Sequence, residues 1–133
     1  MSSAREVFEN EHFVVASDPS RRIVFVRRTA VPLRRPSEVE AAIAALVKEL
    51  PADRRPGWAI VSDYRDAPLR VHPALEPVWA RYRTESERGF RRSAVVVATP
   101  VGRARGARLG GVAHIPVVIV SSMEEAIRFV TEP

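Results

Sequence analysis

The chain has 133 residues, 46% hydrophobic and 28% charged, with a net charge of +5; this is the size and balance of one globular domain, which excludes a disordered segment and leaves no room for two cores. There is no cysteine, which excludes a disulfide framework, a thiolate metal site and a cysteine nucleophile. Lys48 is the only lysine, so 20 of the 21 basic residues are arginine; the 16 acids are interspersed with them, which disfavours a nucleic-acid partner because no basic tail is formed.

An arginine excess of this kind fits a coding bias. It also supplies planar forks, which grip carboxylates and phosphates with two parallel hydrogen bonds. The N-terminus, Met1 to Glu6, lacks the apolar core of a signal peptide. The longest apolar run, Ile115 to Val120, is too short to span a bilayer. The expectation is a cytoplasmic protein without a transmembrane segment.

The first expected strand runs from His12 to Ser17. Asp18-Pro19-Ser20 is turn chemistry, and a second strand from Arg22 to about Ala30 completes a hairpin. In that strand Ile23 and Phe25 share one face, Val24 and Val26 the other. Ser37 with Glu40, after Pro36, fits a capping box. Val39, Ala42, Ile43, Leu46, Val47 and Leu50 then recur at helical spacing, and Pro51 stops the helix.

Trp58 to Val61 is the third expected strand, ending at Ser62-Asp63. A loop, Tyr64 to His72, leads to a second helix. Pro73 and Pro77 suit its first turn, Leu75, Val78, Trp79 and Tyr82 share a face, and it frays near Gly89. Ala94 to Ala98 is the fourth strand. Thr99-Pro100 opens a weaker helix, Val101 to Leu109, closed by Gly110-Gly111. Pro116 to Val120 is the fifth strand, and Ser122 with Glu125 opens the last helix, whose stripe is Met123, Ala126, Ile127 and Val130.

The order is therefore β-β-α-β-α-β-α-β-α. It predicts one α/β domain over 1–133, with its core at about 8–130. The sheet is single, mixed, mostly parallel and five-stranded, in sequential order. The last three strands are unbroken apolar runs, the pattern of strands covered on both faces. The expected core includes Ile43, Leu46, Val47, Ile60, Val78, Val96, Val118 and Ile127.

Asp63, Tyr64, Arg65 and Asp66, with Arg70 beyond them, form the first candidate partner- or ligand-binding site. They follow the carboxyl end of a parallel strand, where open α/β sheets take ligands. The group can bind a polar partner or work as acid and base. Equally, Asp63 and Asp66 can cap loop amides and pair with Arg65 or Arg70. A second candidate is the glycine- and arginine-rich stretch with Thr99, Arg103, Arg105 and Arg108, at a helix start where free amides hold anions.

Neither a phosphate-binding lysine loop nor a dinucleotide fingerprint is present. No serine elbow occurs, and His12, His72 and His114 are scattered without metal-ligand spacing. No cofactor or metal is implied, and the expectation is a protein that binds rather than catalyses.

Two stretches carry a family resemblance: Val61-Ser-Asp-Tyr-Arg-Asp-Ala-Pro-Leu-Arg70 after the third strand, and Arg92-Ser-Ala-Val-Val-Val-Ala-Thr-Pro-Val-Gly102 around the fourth. With the element order from Phe8 to Val130, the chain resembles the STAS-like domains of anti-sigma-factor antagonists and of sulfate-transporter tails. It looks closest to the stand-alone bacterial members. The resemblance implies a regulatory or adaptor role through protein contacts. In the antagonists a phosphorylatable serine follows the third strand; here no Ser or Thr lies between Asp63 and Thr84, so that switch is not expected. The alternative is a small-molecule or anion carrier using Asp63, Thr99 and Arg103. Self-association would be one way to cover apolar sheet positions left open by the helices.

Overall fold

The computed structural model describes residues 5–50, 55–67, 76–98 and 115–133. Its starting unit is the hairpin of β2 (Phe13–Asp18) and β3 (Ile23–Arg28). Asp18 fixes the turn: its Oδ1 accepts from the Ser20 amide and hydroxyl, and its Oδ2 accepts from Arg21 Nε at 2.6 Å. Arg22 then takes a positive φ of 56°, and β3 leaves antiparallel to β2.

A strand not expected from the sequence, β1 (Arg5–Glu9), pairs antiparallel with β2 and lies at the edge. Among the described residues the sheet therefore has six strands rather than five. A bulge between Glu6 and Phe8 breaks the alternation by which such a strand would be recognised. The exposed charged residues Arg5 and Glu9 blunt the edge.

From β3 onward the strands are parallel. α1 (Pro36–Lys48) leads to β4 (Ala59–Asp63), α2 (Glu76–Glu87) precedes β5 (Arg92–Val96), and β6 (Val117–Val120) is followed by α3 (Met123–Thr131). Strand order in the sheet is sequential, as expected. Right-handed crossovers in one sheet direction place successive helices on the same side. α1 and α2 accordingly pack on each other and close a first core with Phe13, Val15, Val24, Val26, Leu46, Ile60 and Tyr82.

α3 covers the opposite face, packing on β4, β5 and β6. There Ile23, Ala59, Val61, Ala94, Val96, Ala126 and Val130 make a second core. β4 is buried along its whole length and β5 along nearly all of it, which accounts for their unbroken apolar runs. Val14, Ala16 and Phe25, on the α3 side of β2 and β3, are only half-buried.

Several expectations need correction. Pro36 is itself the first helical residue, so the cap of α1 is Arg35 and Ser37 falls inside the first turn, with no side-chain cap bond. Glu40 points away and pairs with Arg81 at 3.0 Å. The start of α3 does carry its cap: Ser122 Oγ accepts from the Glu125 amide at 3.2 Å, while the Glu125 carboxylate accepts from the Ser122 hydroxyl at 3.0 Å rather than from its amide. Of the expected core, Leu46, Ile60 and Val96 are fully buried. Ile43, Val47, Val78, Val118 and Ile127 are half-buried, and Ile43, Val118 and Ile127 pack at the margins of the two cores. The expected helix Val101 to Leu109 lies outside the described residues.

Candidate functional site

The sheet has two rims: one where β3 to β6 begin, and one where they end. The ending rim carries the Asp63 loop. On the α3 side, a row of register partners crosses the sheet there: Glu9, Val14, Arg27, Asp63, Val96 and Val120. Apolar residues are the rule in the interior of such a row, so the Arg27–Asp63 pair in its middle is the exception.

Asp63 is 7% exposed and is held by one neighbour. Arg65 donates to it three times: the backbone amide to Oδ1 at 3.1 Å, Nε to Oδ1 at 3.0 Å, and Nη2 to Oδ2 at 2.8 Å. Burial alone would push the Asp63 carboxyl upward; the Arg65 hydrogen bonds and the Arg65 and Arg27 charges outweigh it and hold the group below the usual carboxylate range. The same contacts raise Arg65 above an ordinary arginine.

Asp66 faces Arg27 at 3.8 Å, both side chains being about half exposed or more. Tyr64 turns the other way: its amide donates to Val96 O at 2.8 Å and its ring packs against the first core. The structure thus brings Asp63, Arg65 and Asp66 together on one side, with Tyr64 behind them. Arg70, Thr99, Arg103, Arg105 and Arg108 lie outside the described residues.

Sequence reasoning missed Arg27 and Arg28. Arg27 had a signal: alternation from Ile23 and Phe25 places it on their face at the strand end. Arg28 had none, because a charge on the core side of a strand runs against the pattern. It is 3% exposed. Its Nη1 donates to His12 O at 3.3 Å and Thr29 O at 2.8 Å, its Nη2 to Val31 O at 2.6 Å, and it stacks 5.7 Å from the Phe13 ring centre. Burial lowers its pKa, against the opposing influence of Tyr64 and Tyr82.

At the beginning rim the arginines meet helix ends. Arg55 Nη1 donates to Glu85 O at 2.9 Å and Arg88 O at 2.7 Å, closing α2, and lies over Phe90. Gly89, at φ 89°, completes that end in the left-handed conformation favoured after a helix. Arg91 donates to Val130 O and Glu132 O, and Arg92 to Phe129 O and Pro133 O, closing α3. Arg92 also lies over the Phe129 ring at 5.0 Å. Glu85 O, Phe129 O and Val130 O lie in the last turns of their helices, where carbonyls lack intrahelical partners and carry the negative end of the dipole; Arg88 O, Glu132 O and Pro133 O follow just beyond.

Among the described residues no group of three or more His, Asp or Glu side chains is placed to hold a metal ion, and no helix is long and apolar enough to cross a membrane. Comparison with protein-family models, with curated proteins and with solved structures finds no match.

Proposed function

We propose that the chain is a non-enzymatic regulatory or adaptor module of the cytoplasm, related in kind to the STAS-like domains it resembles, and that it binds a protein partner at the rim where its parallel strands end. The observation that carries this is the state of Asp63. Its carboxylate takes three hydrogen bonds from Arg65 and titrates below its usual range. A carboxylate so engaged is a poor proton acceptor at neutral pH. What the rim offers to a visitor is Arg65, Arg27 and Asp66.

The module works without a serine switch in this loop. Ser62 is 3% exposed and sits inside β4, between Val26 and Val95 on the neighbouring strands, where a phosphate has no room. Mass spectrometry of protein from its native cell should find Ser62 unmodified; substantial occupancy there would restore the antagonist mechanism.

Chemical cross-linking in native cells tests the adaptor role. Wild type should yield a reproducible protein partner whose cross-links map to the 63–67 loop. Copurification of a stoichiometric small molecule, with no protein partner, would replace this reading with that of a carrier.

A further inference from the structure

We infer that Arg65 and Arg27 form a receptor for an acidic side chain of the partner, that Asp63 is the residue positioning Arg65 for it, and that Asp66 occupies the place until the partner arrives. This deepens the adaptor reading and rests on it.

A guanidinium has five N–H donors in a fixed plane. Asp63 takes two of those of Arg65, Nε–H and one on Nη2, along one edge of the plane. The side chain is still 43% exposed, so the remaining Nη1 and Nη2 donors, the end of the fork, are left toward solvent. That end has the spacing of a second carboxylate. Because Asp63 has already fixed the side chain, a visiting carboxylate need not order it, and less rotamer entropy is lost on binding.

Arg27 stands beside it, as the register partner of Asp63 on the adjacent strand. Its contact with Asp66 is long, at 3.8 Å, and exposed on both sides. Such pairs contribute about 0–1 kcal/mol, so an incoming carboxylate exchanges with Asp66 at little cost. Val14, the register partner of Arg27 on β2 and half-buried on the same face, supplies an apolar contact next to the charge. The occupant is therefore an acidic segment of a protein with an apolar residue beside the acid.

The charge balance favours a carboxylate over a phosphate. Arg27 and Arg65 face Asp63 and Asp66, two against two. A singly charged visitor that displaces Asp66 keeps the local balance neutral, whereas a phosphate in its place, carrying about −1.5 to −2 charges, leaves it negative.

The test uses a capped peptide, Leu-Glu-Glu-Leu, with its Gln and phosphoserine counterparts, titrated against the whole protein while arginine Nε–H resonances are followed by NMR. The Glu peptide should shift Arg65 and Arg27 in a saturable, salt-sensitive way and leave Arg128 unmoved. Arg65→Gln and Arg27→Gln should abolish the shift of the remaining partner. Asp63→Asn should weaken binding although Arg65 itself is unchanged, because its side chain is no longer fixed, and its Nε–H signal should be broadened or displaced in the free protein. Asp66→Asn should tighten binding by about 2–5-fold, the equivalent of an exposed pair.

Shifts spread evenly over exposed arginines, no tightening in Asp66→Asn, or tighter binding of the phosphoserine peptide would each overturn the assignment. If wild type and Arg27→Gln/Arg65→Gln capture the same cross-linked partner equally well, the adaptor role stands and this receptor falls. If the peptide behaves as stated but no partner is captured, the receptor stands and the adaptor role falls.

Discussion

At the rim where the parallel strands begin, Arg55, Arg91 and Arg92 direct their donors to backbone carbonyls at helix ends. At the rim where the strands end, Arg27 and Arg65 face carboxylates and stay about half exposed. The same residue type does two jobs. In the first, a guanidinium replaces water for several carbonyls at once and answers the helix dipole, with a phenylalanine ring beneath it in two of the three cases. In the second, the charge is only partly neutralised and remains available to another molecule. Arginine richness is therefore not by itself a sign of an anion-binding surface, because part of it closes the fold.

Leu46→Ala sets the scale for a loss inside the fold. Leu46 is fully buried in the first core, and the change should cost about 2–5 kcal/mol in urea unfolding. Next comes Arg91→Met with Arg92→Met, which keeps the apolar stems and removes the clamp on α3. About 2–4 kcal/mol should be lost, as for charge-assisted hydrogen bonds to partly buried carbonyls. A loss below about 0.5 kcal/mol would erase the distinction between the rims.

Asp63→Asn should cost about 1–2 kcal/mol at pH 7, since the charged acceptor for Arg65 is removed. The effect depends on pH. The folded-state carboxyl titrates below its unfolded value, so its contribution is complete above about pH 4 and is lost as pH falls through the folded value. Wild type and variant should therefore converge on acidification, read as unfolding midpoints from pH 7 to pH 2. Smallest of all, Arg27→Gln should change stability by under about 0.5 kcal/mol, because its partner is exposed and distant. A cost as large as that of the Arg91/Arg92 variant would mean that Arg27, like its neighbour Arg28, serves the fold.

The runs Ala59 to Val61 and Ala94 to Val96 carried the parallel sheet plainly, since both faces are covered and polar residues are absent from them. β1 was hidden because a bulge shifts its register and, among its described side chains, only Phe8 packs against the first core. The start of α1 was misplaced by Ser37, although Pro36 already held the better signal, being preorganised for the first helical position. The Asp63–Arg65 pairing was legible because the residues are two apart. Arg27 with Asp66, Arg55 with the end of α2 and Arg92 with the end of α3 join positions about 30–40 apart in the chain. Only the topology brings them together, and local pattern does not encode it.

Among the described residues α3 is the helix that covers the second core, and its late place in the chain has a consequence for synthesis on the ribosome. α1 and α2 precede β5 and can close the first core as that strand emerges. Ala59, Val61, Ala94 and Val96 must wait for a helix made after every strand of the sheet. At translation rates of about 5–20 residues per second, the stretch from the end of β5 to the end of α3 takes roughly 2–7 s. Until then the apolar positions that α3 covers stay open, and a chaperone that screens emerging chains would meet them there.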